Sequence, residues 1–202
     1  MEVSTLARLW PAMPVAPDWL HTSDVGAVPW QVLVRESVML RVWDEVAVAA
    51  DRDETPGLRA ASVLPLVPRR GVVGRAAAVW VHAGGPPPAR VDVLVPPRTR
   101  RPSPHPLRVP HECALADGDV VELGPVRVTT VARTAVDVAR WSSRDVSARL
   151  LERLATHAGL DARGAVRLLD DLPGHRGTQA AREALLDVAA RVADQADGEA
   201  LA

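Results

Sequence analysis

Three groups of residues in this 202-residue chain have types and spacings that could do chemistry. Arg98, Arg100 and Arg101 crowd a stretch stiffened by Pro96, Pro97 and Pro102, and Arg69-Arg70 stand upstream beside Pro68. Guanidinium forks on a stiff loop suit bidentate contacts to phosphate oxygens. Arg133 and Asp137 lie four residues apart, one helical turn, with Thr129, Thr130 and Thr134 around them. Thr129 or Thr130 can accept a hydrogen bond from a free first-turn amide, which explains threonines before a helix. The third group is His111-Glu112-Cys113, which has the residue types of a metal or thiol site. It stands isolated, with no second cysteine and no His-x-x-x-His pair anywhere, so it reads as strand-and-turn surface. Asp117-Gly118-Asp119 reads as a turn.

The absences are as informative. All 24 basic residues are arginine, and Lys, Phe, Tyr, Ile and Asn do not occur. That skew follows from a GC-rich genome, so the arginines alone are no nucleic-acid signature. Without lysine there is no Walker A loop, no Schiff base and no Glu-x-Lys nuclease core. Neither a Gly-x-Gly-x-x-Gly loop nor a Gly-x-Ser-x-Gly elbow occurs. The expectation is a protein with no enzymatic activity, no metal and no cofactor. A single cysteine fits a reducing cytoplasm. No apolar run reaches the roughly 20 residues that cross a bilayer, so no membrane partner is expected.

A net charge of −1 hides three unequal parts. Residues 1–56 carry −5, residues 57–141 carry +6, and residues 142–202 carry −2. The basic middle holds both arginine clusters.

Stepping outward to the elements, Pro11, Pro14, Pro17 and Pro29 confine the N-terminal part to short helices. Thr22-Ser23-Asp24 offers cap chemistry for one, and Pro29 fits the first turn of another. Val38–Trp43 and Val46–Val48 flank Asp44-Glu45 as a hairpin. Trp10, Trp19, Trp30 and Trp43 crowd this part and supply core volume where Phe and Tyr are missing, the alternative being base stacking. Short helices followed by a hairpin suggest a winged-helix-like segment over about residues 1–52. Its acidic hairpin tip would repel a polyanion.

Beyond the turn at Pro56-Gly57, helices are expected at Leu58–Leu66 and Arg75–His82, the second ending at Gly84-Gly85. Val91–Val95 is a strand by its β-branched residues, and Leu107–Val109, Val120–Leu123 and Val126–Thr129 are further strands. The last third reads as helices at Val131–Trp141, Val146–His157, Ala162–Asp170 and Thr178–Val192, with residues 196–202 a frayed tail. On the first of these, Arg133, Asp137, Arg140 and Arg144 form one polar stripe if the helix continues. That stripe is either a solvated charge ladder or a tie from the helix to a neighbouring loop or partner. The fold class is α+β, with a mixed α/β domain over 57–195.

Four stretches in this order resemble one family. They are Leu33–Val42, Leu58–Ala61 with Gly74–Gly84, Val91–Pro96 and the segment Thr129–Arg140, whose pattern is TT-x-x-RT-x-x-D-x-A. Together they resemble the AbiEi-like antitoxins of type IV toxin–antitoxin (abortive infection) systems. The resemblance implies a winged-helix domain joined to a larger α/β domain, and a transcriptional regulator that binds operator DNA. It also implies a nucleotidyltransferase-like toxin as partner. Thr130, Arg133, Thr134 and Asp137 would then hold the hallmark helix, while Arg98, Arg100, Arg101, Arg69 and Arg70 would meet DNA phosphates. The alternative is a protein-interaction module of the same fold that has lost DNA binding.

Overall fold

A computed structural model describes residues 19–172 and 177–200. Trp10, the first three N-terminal prolines and Pro173-Gly174, expected from the sequence to separate the last two helices, lie outside the described residues. The chain folds as α+β, with two sheets and a helical final third.

The first sheet is antiparallel, in the order β1 (Trp19–His21), β3 (Val46–Ala49), β2 (Met39–Trp43). Between β1 and β2 lie two helices, α1 (Thr22–Val25) and α2 (Ala27–Arg35). His21, not the threonine after it, is the N-cap of α1. Its ring accepts from the Ser23 amide at 3.1 Å, and Asp24 Oδ2 accepts from the His21 amide at 2.8 Å. Pro29 sits in the first turn of α2, where its missing N–H costs nothing. The β2–β3 hairpin turns at Asp44, held at φ +45°. Helices followed by a hairpin give this segment its winged-helix-like order. Trp30 and Met39 fill its small core together with Ala47. The tryptophans are packing residues here: Trp30 and Trp43 are buried, and Trp19 is packed against the main core.

The second sheet has five strands in the order β6 (Arg108–Glu112), β5 (Val91–Val95), β4 (Val72–Val73), β8 (Val126–Thr129), β7 (Val120–Leu123). Pairs β5–β6 and β4–β8 are parallel, and the other two are antiparallel. One face carries Val73, Val91, Val93, Val95, Val126 and Val128, all buried against α3 (Pro56–Ser62) and α4 (Arg75–Ala83). Burying each valine fully contributes about 1.5–3 kcal/mol before entropy is subtracted. Val42, Trp43 and Val48 of the hairpin enter the same core, and the Trp43 indole donates to the Pro88 carbonyl at 2.8 Å.

Four helices close the structure: α5 (Val131–Trp141), α6 (Arg144–Ala158), α7 (Ala162–Asp171) and α8 (Thr178–Ala200). Their shared core gathers Val136, Leu151, Leu154, Leu169 and Leu185. Helix α5 ends at Ser142, so Arg144 opens a new helix and the four-residue polar stripe does not exist. Helix α8 runs to Ala200, through residues expected to fray, because Ala, Gln and Glu there are strong helix formers. No described helix is long and apolar enough to cross a membrane.

Candidate functional site

Two arrangements of arginine dominate the molecule, one inside and one outside. The inner one is built on α5. Thr130 caps the helix, its hydroxyl accepting from the Arg133 amide at 3.3 Å. Thr134 meets the Thr129 hydroxyl at 2.6 Å and so fixes the helix to the end of β8. The Arg133 guanidinium is 4% exposed and spends all three nitrogens. It donates to Asp137 Oδ1 at 3.1 Å, to Asp119 Oδ2 at 2.6 Å and to Cys113 Sγ at 3.0 Å. Asp119 in turn accepts from the Ala116 amide at 2.9 Å. Arg133 therefore pins the loop between β6 and β7 onto the helix.

This settles the choice between ladder and tie. Arg133, Asp137 and Asp119 are each under 5% exposed, so a solvated ladder is excluded. Residues 133–139 of α5 are all buried. The helix is amphipathic, and its polar face with Arg133 and Asp137 is buried under the loop that carries Cys113 and Asp119. Asp119 went unrecognised because it lies in a three-residue turn 14 positions before Arg133.

Burial pushes the Asp137 carboxyl up, against the pull of Arg133. Burial likewise pushes the Cys113 thiol up. Burial works against the Arg133 charge, yet Asp137, Cys113 and Asp119 outweigh it and raise its pKa. The group is thus an ion cluster that holds its charges by mutual compensation. Asp137 Oδ2 and Arg75 Nε are buried without a hydrogen-bond partner. Arg75 lies over the Trp141 ring at 5.4 Å, and Arg140 does the same.

Two further arginines hold the end of α4, and sequence reasoning missed both. Arg59 is buried and donates to the carbonyls of Val81 at 2.9 Å and Glu54 at 3.1 Å. Arg153 donates to the Gly84 carbonyl at 2.6 Å. Its guanidinium lies against Gly85, where an added Cβ would sit 1.9 Å from Nη2. Gly85 also has φ +87°, which favours glycine whatever the space, while a Cβ there would have to displace the Arg153 guanidinium. Beside them His82 bonds the Thr129 carbonyl through Nε2 at 2.7 Å, which makes that nitrogen the donor. Burial lowers its pKa, the Thr129 bond opposes this, and the Arg59 charge adds to the lowering.

The outer arrangement is the arginine rim. Arg69 and Arg70 occupy the turn before β4, and Arg98, Arg100 and Arg101 the loop after β5. Antiparallel pairing of β4 with β5 brings these two segments side by side. Arg69, Arg70 and Arg100 line one hollow of about 290 Å³ with Thr99 and Pro102. The loop is held by Thr99, whose hydroxyl donates to the Pro96 carbonyl at 2.6 Å. Arg108 ties both segments together, donating to the Leu66 carbonyl at 3.0 Å and to the Ser103 carbonyl. Arg98 is exposed at φ +60°, outside that hollow. Arg101 points to Glu112 at 3.7 Å and is largely solvated. Of the five arginines expected to act together, three share a hollow.

His111 sits 2.7 Å from Asp92 across β5 and β6, and Cys113 belongs to the Arg133 cluster. Among the described residues, no group of three or more His, Cys, Asp or Glu side chains could hold a metal ion.

No family model matches the chain, and no curated protein matches it. Among solved structures the chain is similar to the RV2827C protein from Mycobacterium tuberculosis. That similarity has 16% identity and a TM-score of 0.43, and it covers 85% of this chain and 72% of the other.

Proposed function

We propose that this chain acts by binding, as a cytoplasmic AbiEi-like antitoxin and transcriptional regulator. The observation that carries the DNA-binding part is the hollow shared by Arg69, Arg70 and Arg100. Two loops supply these guanidinium groups, and Arg108 fastens the loops to each other. Held side by side, the loops present clustered guanidinium donors to phosphate oxygens. Thr130, Arg133, Thr134 and Asp137 act on this rim only through the rigidity they give the sheet end and its loop. The test is a gel shift of the protein's own upstream duplex against a scrambled duplex of equal length. Retention of the upstream duplex alone is the expected result. Equal retention of both, or of neither, sinks the reading.

A second reading has its own support. In a DNA-reading winged helix, α2 and the wing would face the duplex with donors. Here α2 presents Val28, 74% exposed, and Val32, while its Arg35 is paired to Glu36 at 3.0 Å. The hairpin tip is Asp44-Glu45, both exposed. An apolar helix face beside an acidic tip suits a basic protein partner better than DNA. A nucleotidyltransferase-like toxin is the partner this reading names. Co-purification that survives Arg69, Arg70 and Arg100 to alanine, but not Val28→Asp, is its expected outcome.

A further inference from the structure

The valine face of the five-stranded sheet is buried, but its other face is covered only in part. Strand register puts four residues of that face in one row. Val72 pairs with Leu94, Val73 pairs with Val128, and Arg127 pairs with Glu122. Leu94, Val72, Arg127 and Glu122 therefore follow one another across four strands, with Val120 one step along β7. The loop from Cys113 to Asp117 arches over this row, and the two enclose a cleft of about 680 Å³. That volume lies within the range of about 300–1,000 Å³ usual for small-molecule sites.

The cleft has a direction. Val72 and Leu94 lie buried at its base, and its accessible apolar surface comes from Val120, Leu115, Pro96 and Pro97. Arg127 does not pair with Glu122 beside it. It turns instead to the Gly71 carbonyl at 3.3 Å, next to Arg70, which also lines the cleft. Arg70, Val95 and Pro96 are shared with the rim hollow, so one end of the cleft adjoins clustered positive charge. Glu122, directly across from Arg127 on β7, and Asp117 of the arching loop also line the cleft. The roof is rigid, because Asp119 and Cys113 are both held by the buried Arg133.

We propose that this cleft binds a small organic anion, its flat apolar body against Val120, Leu115 and Pro96 and its phosphate or carboxylate between Arg70 and Arg127. Guanidinium pairs recognise both headgroups by the same bidentate geometry. The acidic side excludes dianions that lack an apolar body, since they would gain two arginines and meet two carboxylates. This site does not depend on the chain binding DNA.

The test uses the full chain with 1-naphthyl phosphate and 1-naphthoate as probes, and 2-naphthol and inorganic phosphate as controls. Probe anisotropy gives affinity directly. Cys113, the only cysteine in the chain, lines the cleft, so its labelling rate with a thiol reagent reports occupancy at this place. At least one anionic probe should bind saturably and slow the labelling. The neutral naphthol and bare phosphate should bind at least about tenfold more weakly, a difference of about 1.4 kcal/mol. Arg70→Gln with Arg127→Gln should weaken the probe by a similar factor. Glu122→Gln should tighten it, a gain that misfolding does not produce. No saturable binding of either probe, equal binding of naphthol, or weaker binding by Glu122→Gln each overturns the proposal.

Discussion

The Arg133 cluster and the Arg69–Arg70–Arg100 rim are made of the same side chain and do opposite things. Arg133 is buried and has a partner at every nitrogen. The rim arginines are exposed and gathered around a hollow. A buried guanidinium is costly to desolvate and must be fully compensated, so its loss leaves stranded carboxylates. An exposed one is hydrated and worth little to the fold, so it is free to meet something else. Burial, not residue type, decides whether an arginine holds the protein together or presents it.

The largest effect should come from the inner cluster. Arg133→Ala strands Asp119 and Asp137 in the interior and should cost about 3–5 kcal/mol of unfolding free energy. Chemical denaturation at pH 7 measures this. A cost below about 1 kcal/mol would put Arg133 among ordinary surface arginines and erase the contrast. Next comes Gly85→Ala, which drives a Cβ into the Arg153 guanidinium at a positive φ. It should cost about 1–3 kcal/mol, and combining it with Arg153→Ala should recover part of that loss.

A smaller effect comes from pH. His82 has its pKa lowered in the folded state, so the unfolded chain binds its proton more readily. Its contribution is complete above its ordinary value of 6.5 and is lost as pH falls from there through the folded value. Asp137, whose pKa is raised, works the other way. Its contribution is complete below its ordinary value of 3.8 and is lost as pH rises through the folded value. Denaturation midpoints at pH 7.5 and 5.5 should therefore differ in the wild type, and His82→Gln should narrow the gap. The smallest effect on stability belongs to the rim, where alanine at Arg69, Arg70 and Arg100 should each change it by no more than about 0.5 kcal/mol.

The sequence made some elements plain and hid others for physical reasons. Helix α5 and strand β5 run over Val131–Trp141 and Val91–Val95 as expected, because a threonine cap and a β-branched run are local signals. Strands β1 and β4, three and two residues long, carry no period to read and exist only through their neighbours. The meeting of Arg69 and Arg70 with Arg100 depends on sheet register, which no local pattern encodes. An Arg–Asp spacing of four looks the same on a wet helix face and in a core. Its burial becomes legible only when the loop carrying Cys113 and Asp119 is seen to cover the polar face of α5.

The most direct test of the division between pin and rim is duplex binding across a salt series, comparing wild type with the triple alanine variant of Arg69, Arg70 and Arg100. The wild type should bind its upstream duplex with log affinity falling linearly against log salt. In the variant, folded as before, that slope should be shallower by up to about 0.9 per lost phosphate contact. An unchanged slope, or no binding by the wild type even at low salt, would contradict that division.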